Sequence, residues 1–182
     1  MRGWTVRDSA ELYGISNWGT PYFSVDEGGT ILVHPREPDG PRIDLLGLVE
    51  ELRRRGLRTP MLIRFSDILE SRIREIDACF TRAIREYEYR GSYRGVYPIK
   101  VNQQRQVVEE LVEYGRASRL GLEVGSKAEM LVALAVLDTP EALIVCNGYK
   151  DRAYMETALL AQRLGRHPII VLDRPNELES LV

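Results

Sequence analysis

The stretch 142-ALIVCNGYKDRAYMETALLAQRLGRHPIIVLD-173 reads as strand, helix, strand. Residues 142–148 and 168–173 are short apolar runs that end in polar residues, and the helix between them, 151–165, stops on Gly165. Runs that stay apolar instead of alternating belong to strands covered on both faces, and a helix joining two of them is the crossover of a parallel sheet. Working back along the chain, 121-GLEV-124 is another such run, followed by a helix whose Ser126 and Glu129 have capping-box spacing. Before it, 95-GVYPIKVN-102 is a strand candidate. A helix over 106–114 follows with Val107, Val108, Leu111 and Val112 inward and Gly115 beyond its end. After 173, Pro175 suits the first turn of a further helix. Four βα units make this an α/β chain with a parallel sheet, doubly wound or barrel.

The N-terminal section is β-like. In 21-PYFSVDEGGTILVHP-35 two β-prone runs flank Glu27-Gly28-Gly29, a hairpin pattern, and 35-PREPDGP-41 is a linker. Asp44 can cap a helix through Arg55 with Gly56 just past it. The apolar run 60-PMLIRF-65 leads to a long helix from near Asp67, where Asp67 and Glu70 have capping-box spacing. Its apolar positions Leu69, Ile73, Ile76, Phe80, Ile84 and Tyr87 predict one buried stripe. The last stretch, 176-NELESLV-182, stops within a helical pattern, as expected of a truncated sequence.

Composition sets outer limits. The 182 residues, 44% hydrophobic and 29% charged with net charge −2, suit a soluble domain and give no electrostatic reason for nucleic acid or an anionic membrane. No apolar run reaches the ~18 residues of a membrane span, and the start lacks a signal-peptide core. Cys79 and Cys146 stand apart with no CxxC, which predicts two small core residues in a reducing cytoplasm. His34 and His167, each before a proline, read as loop residues. The phosphate fingerprints GxGxxG and GxxxxGK[ST] do not occur.

The chemistry lies at the strand ends, which carry Lys100 and Asn102, then Glu123, then Asn147, then Asp173. Ligands of parallel α/β folds bind at this C-terminal edge. On a continuous strand Val96, Pro98 and Lys100 share one face and Tyr97, Ile99 and Val101 the other. If the first face lines a barrel, Lys100 rises into the mouth from a dry wall. Desolvation there favours the neutral amine that attacks carbonyls, and Glu123 can trade a proton with it. Pro98 marks a bulge or bend just before it. The plainer readings stand beside these: Lys100 as a solvated rim residue, Glu123 and Asp173 as caps or surface charges, Asn147 as a turn residue and Ser126 as a helix cap.

The strings GVYPIKVNQQR, GLEVGSKAEM and VCNGYKD, in this order and spacing, resemble the biosynthetic arginine decarboxylases. These are pyridoxal-phosphate enzymes with an alanine-racemase-like barrel, related to ornithine and diaminopimelate decarboxylases. YGISNWGTPYFSV, RFSDILESRI and AIREYEYRGSYRGVYPIK are similar too, so the resemblance covers essentially the whole chain. It implies an N-terminal fragment: residues 1–41 a β segment and linker packing with a C-terminal β domain, and 42–182 the first part of a (β/α)8 TIM barrel. It implies Lys100 as the covalent anchor of pyridoxal 5′-phosphate, Glu123 as the acid beside it, and Asn102, Ser126 and Asn147 as lining groups. The implied reaction converts L-arginine to agmatine and CO2 for putrescine and spermidine biosynthesis, in a cytoplasmic homo-oligomer, dimer or tetramer, that uses Mg2+. Diaminopimelate, ornithine or carboxynorspermidine as substrate, or a non-catalytic pyridoxal-phosphate barrel, are the alternatives. Family members are several times longer, with the ring-stacking histidine, the glycine-rich phosphate loop and the ring-nitrogen carboxylate expected downstream. The isolated 182 residues are therefore expected to be inactive and marginally stable, with exposed sheet edges.

Overall fold

The computed structural model describes residues 2–36 and 40–179. The middle of the 35–41 linker and the last three residues of the chain, on which two of the expectations above fall in part, lie outside the described residues. The chain divides into two compact units between Ser71 and Arg72.

The first unit opens with helix α1 (Val6–Leu12), capped by Thr5 and Asp8 in a reciprocal box, and the short α2 (Ile15–Trp18). The hairpin follows as expected: β1 (Phe23–Val25) pairs antiparallel with β2 (Ile31–Val33), Phe23 opposite Val33. Its turn is closed by Asp26, whose Oδ1 accepts from the Thr30 N–H at 2.8 Å. A third strand, β3 (Ile43–Asp44), which the sequence reading did not anticipate, adds to β2. Asp44 then caps α3 (Leu45–Arg54) by accepting from the Gly47 N–H at 2.9 Å, and Gly56 follows the helix at φ +88°.

The boundary between the units falls inside α4 (Ser66–Glu86). Asp67 lies within its first turn instead of capping it, and accepts a hydrogen bond from Arg36 Nε at 2.8 Å. The expected buried stripe is not buried. Leu69, Ile73 and Ile84 are half-covered, Ile76 and Phe80 are exposed, and Tyr87 lies past the helix end in solvent. Periodicity names the face that seeks cover but does not supply the layer over it. Phe80 finds the Tyr93 ring, stacked at 4.0 Å. Cys79, expected in the core, is likewise exposed on this helix, whereas Cys146 is buried.

The second unit carries the parallel sheet in the order β4 (Val96–Pro98), β5 (Gly121–Val124), β6 (Leu143–Cys146), β7 (His167–Ile170). Helices α5 (Arg105–Tyr114), α6 (Lys127–Val136), α7 (Arg152–Arg163) and α8 (Pro175–Glu179) follow the strands in turn. Leu122, Val124, Ile144 and Cys146 project to one side, into a core with Val108 and Val112 of α5, Met130 and Ala133 of α6, and Tyr154 and Ala158 of α7. Each large aliphatic side chain buried there contributes about 1.5–3 kcal/mol, so this layer fixes the sheet. The opposite face is the row Pro98, Glu123, Val145, Ile169, matched in register across all four strands. Only β5 is buried on both faces; β4, β6 and β7 are more open along this row, against the expectation of fully covered strands. His167, expected in a loop, is the first residue of β7 opposite Leu143, and β7 ends at Ile170 instead of running on to Asp173. No helix among the described residues is long and apolar enough to cross a membrane.

Candidate functional site

The ladder of β4 ends at Pro98, and the chain turns at once into a single 3₁₀ turn, Ile99–Val101. Proline has no N–H to carry a ladder further, so the continuous strand through Lys100 does not form, and the bend expected at Pro98 does. The turn breaks the strand alternation. Ile99 enters the core, Val101 is 69% exposed, and Lys100 stands between them beyond the last paired residue.

From there the Lys100 ammonium reaches Glu123, Nζ to Oε1, at 3.5 Å. The two partners differ sharply in setting: the Lys100 side chain is 61% exposed and that of Glu123 only 8%. Lys100 therefore does not rise from a dry wall as expected, because the turn lifts it clear of the covered strands. Glu123, paired opposite Pro98 and Val145 inside β5, carries the burial instead. Its second oxygen, Oε2, is buried with no hydrogen-bond partner among the described residues, and a buried carboxylate oxygen left so costs about 1–3 kcal/mol or more.

The remaining candidates face their own backbone. Asn102 Oδ1 accepts from the Gln104 N–H at 3.0 Å, and Asn147 Oδ1 from the Gly148 N–H at 2.9 Å. Ser126 caps α6, its hydroxyl accepting from the Glu129 N–H at 3.2 Å. Glu129 does not return the bond to Ser126, as a full capping box would; its Oε2 accepts from the Gly125 N–H at 2.7 Å. Asp173 lies three residues beyond β7, where its amide donates to Glu177 Oε2 at 2.9 Å.

The sequence reading missed the most buried ionic group near this edge. Lys150 and Glu177 pair at 3.2 Å with 1% and 3% of their side chains exposed, and Lys150 Nζ also donates to the Gly148 carbonyl at 2.6 Å. A glutamate two residues after a helix-starting proline was the available signal, since that is the place from which a side chain reaches back to the helix start. The Asp173 amide, followed by the Lys150 ammonium and the Arg174 amide, holds the Glu177 carboxyl below the ordinary glutamate range against the opposing effect of burial. With the folded pKa below the unfolded one, the stabilisation is complete above the unfolded value of about 4.3 and is lost as pH falls through the folded value. Glu177→Gln is expected to remove this contribution to the acid-side fall in unfolding midpoint, measured from about pH 7 to about pH 3. Nearby, burial pushes the Tyr154 hydroxyl well above the ordinary tyrosine value, which keeps it a donor to the Val124 carbonyl at 2.8 Å.

Residues 73–182, which include Lys100, Glu123, Lys150 and Glu177, match the family described as pyridoxal-dependent decarboxylase, pyridoxal binding domain. The chain belongs to this family. Curated relatives align along essentially its full length. The biosynthetic arginine decarboxylase of Gloeobacter violaceus is 59% identical over 182 residues, all of this chain and 28% of that protein. The one from Thermosynechococcus vestitus is 52% identical over 179 residues, 98% of this chain and again 28% of the relative. Among solved structures, the biosynthetic arginine decarboxylase SpeA of Campylobacter jejuni superposes with a TM-score of 0.84 at 35% identity, over 93% of this chain and 28% of that one. The chain thus spans 28% of the length of these relatives. Its four βα units are the first part of the pyridoxal-binding (β/α)8 barrel, preceded by the small antiparallel sheet.

The residues present fit pyridoxal phosphate. Lys100 offers an accessible primary amine for the cofactor aldehyde, and Glu123 Oε2 offers a buried acceptor still wanting a donor beside it. Among the described residues no group of three or more His, Cys, Asp or Glu stands together to hold a metal ion.

Proposed function

We propose that the protein containing this chain decarboxylates L-arginine to agmatine and CO2, with Lys100 as the attachment point of pyridoxal 5′-phosphate. The observation that carries this is the Lys100–Glu123 couple: an open amine held 3.5 Å from a buried carboxylate whose other oxygen has no partner among the described residues. The substrate is supported by the names of the relatives, each a biosynthetic arginine decarboxylase. Cytoplasmic location and a homo-oligomeric state belong to the same proposal.

Glu123 Oε1 accepts a proton from Lys100 Nζ and leaves the amine with the lone pair that attack on a carbonyl requires. Burial of Glu123 inside β5 fixes the carboxylate, and the partner with room around it is the exposed lysine on its 3₁₀ turn. Pyridoxal phosphate held by Lys100 would supply an electron sink for the pair left when a carboxylate departs as CO2. The proton held on Glu123 Oε1 would pass back to Lys100 Nζ, which would deliver it to the carbon that lost CO2 and leave Glu123 ionised again. Asn102, Ser126 and Asn147 line the same rim while their side chains hold the backbone around it.

The protein expressed from its complete reading frame is expected to form agmatine from arginine and to leave ornithine, diaminopimelate and carboxynorspermidine unreacted. Turnover of one of those three with none of arginine overturns the substrate. Glu123→Gln is expected to retain the lysine-bound cofactor by absorption spectroscopy while kcat falls about 10²-fold, the scale of a lost proton-transfer group. An unchanged kcat would remove Glu123 from the mechanism.

A further inference from the structure

Glu129 and Glu177 hold the same place in two helices: each is the third residue, of α6 and of α8. Each side chain bends back over its helix start. Glu129 Oε2 accepts from the Gly125 N–H at 2.7 Å, and Glu177 Oε2 from the Asp173 N–H at 2.9 Å, in both cases the residue two before the helix begins. An ordinary capping glutamate reaches only the N–H one residue before the helix, a bond that Glu177 Oε2 also takes, from Arg174 at 3.4 Å. These two use the second oxygen on the loop of the preceding strand. Glu129 Oε1 accepts from Gln103 Nε2 at 3.1 Å, joining the loop after β4 to the loop after β5. Glu177 Oε1 takes the Lys150 ammonium at 3.2 Å, joining the loop after β6 to the loop after β7.

The remaining gap, between the loops after β5 and β6, is closed by backbone. The Asn147 N–H donates to the Val124 carbonyl at 2.8 Å. Gly148, at φ +72°, lies so close to Gly125 that a Cβ on it would meet the Gly125 carbonyl oxygen at 2.4 Å. Lys150 holds the carbonyl of that same glycine. The joints form one string: Gln103, Glu129, Gly125, Gly148, Lys150, Glu177, Asp173. It starts three residues after Lys100 and passes two residues after Glu123. A buried ion pair such as Lys150–Glu177 is weak evidence for stability, because desolvation cancels much of the attraction; its best-attested use is to select one arrangement over others.

We infer that Glu129 and Glu177 are positioning residues that tie the four strand-end loops into one rim and thereby set the placement of Lys100 relative to Glu123. This rests on the reading of Lys100 and Glu123 given under Proposed function. The two glutamates differ in what an amide can replace. In Glu177→Gln the amide oxygen can keep the Asp173 N–H, but the NH2 then faces the Lys150 ammonium, donor against donor. In Glu129→Gln both joints survive, because Gln103 can turn its own amide oxygen to the new NH2.

The test uses the protein expressed from its complete reading frame. Glu177→Gln and Glu129→Ala are each expected to lower kcat roughly fivefold or more at a KM for arginine within about twofold, and to change the circular dichroism of the lysine-bound cofactor. Glu129→Gln is expected to restore both to the parent values. In the cofactor-free protein, amide hydrogen exchange in residues 121–127 is expected to quicken about threefold or more in Glu177→Gln, although Glu177 lies on the far side of the string. A lowered melting temperature with kcat and cofactor dichroism unchanged would mean that the glutamates only stabilise, and would overturn the inference. If the parent protein carries no cofactor on Lys100, the reading of that lysine fails instead. The exchange experiment then still decides: faster exchange at 121–127 sustains the tied rim, and unchanged exchange overturns it.

Discussion

Lys100→Ala in the protein expressed from its complete reading frame is expected to abolish the visible absorption of lysine-bound pyridoxal phosphate and to lower agmatine formation by on the order of 10³-fold or more, the scale of losing a covalent catalytic group. The expectation has a structural basis beyond the resemblance of the surrounding string. Lys100 is the amine that pairs with Glu123, and Glu123 is the buried acid of the row facing away from the helices. The substitution leaves the core untouched, since the neighbour that enters it is Ile99. It does strip buried Glu123 of its ammonium partner, so the unfolding free energy is expected to fall by about 1–3 kcal/mol with the protein still folded. Retained decarboxylation by a folded Lys100→Ala protein would sink the assignment.

Gly148→Ala is expected to cause a large loss of stability, because backbone strain and a backbone clash coincide there. At φ +72° the alanine is strained whatever the space, and its Cβ would meet the carbonyl oxygen of Gly125 at 2.4 Å. Neither partner can move freely. Gly125 is held by Glu129, and Gly148 is held by Lys150 and by the Asn147 bond to β5. Strain and overpacking together amount to roughly 2–5 kcal/mol. For a chain of this size that is a fall in melting temperature of about 5–15 °C by far-ultraviolet circular dichroism. Gly165→Ala supplies the control. Gly165 has a similar φ of +79° but open space around its Cβ, so it isolates the backbone strain at about 1 kcal/mol. Equal losses at the two glycines would show that the contact with Gly125 has no effect of its own.

Much of the second unit was readable from local pattern. The four inward residues of α5, the short strand β5 and the Ser126 cap all depend on neighbours close in sequence, and all formed as expected. Features that depend on distant partners were not readable. Spacing put Phe80 and Ile76 on one helical face, but whether another layer covers that face is not written in the helix itself. Pro98 announced a bend, yet the conversion of the next three residues into a 3₁₀ turn reversed which side chains are buried and put Lys100 in solvent. Lys150 and Glu177 stand far apart in sequence, each ordinary for a loop or a helix start, and become informative only as a buried pair. The Lys100–Glu123 couple lay between these cases. Each residue could be placed at a strand end, while the orphaned second oxygen of Glu123 needed coordinates.

The order of strands in the parallel sheet is also the order of strands in the chain. From β5 to β7 each strand docks on the one synthesised immediately before it, across a helical crossover. Lys100 and Glu123 are 23 positions apart, so their meeting closes a short loop at small entropic cost. A chain growing from its N-terminus at about 5–20 residues per second can therefore bring the amine to its carboxylate as soon as β5 has cleared the ribosome, before β6 and β7 have emerged.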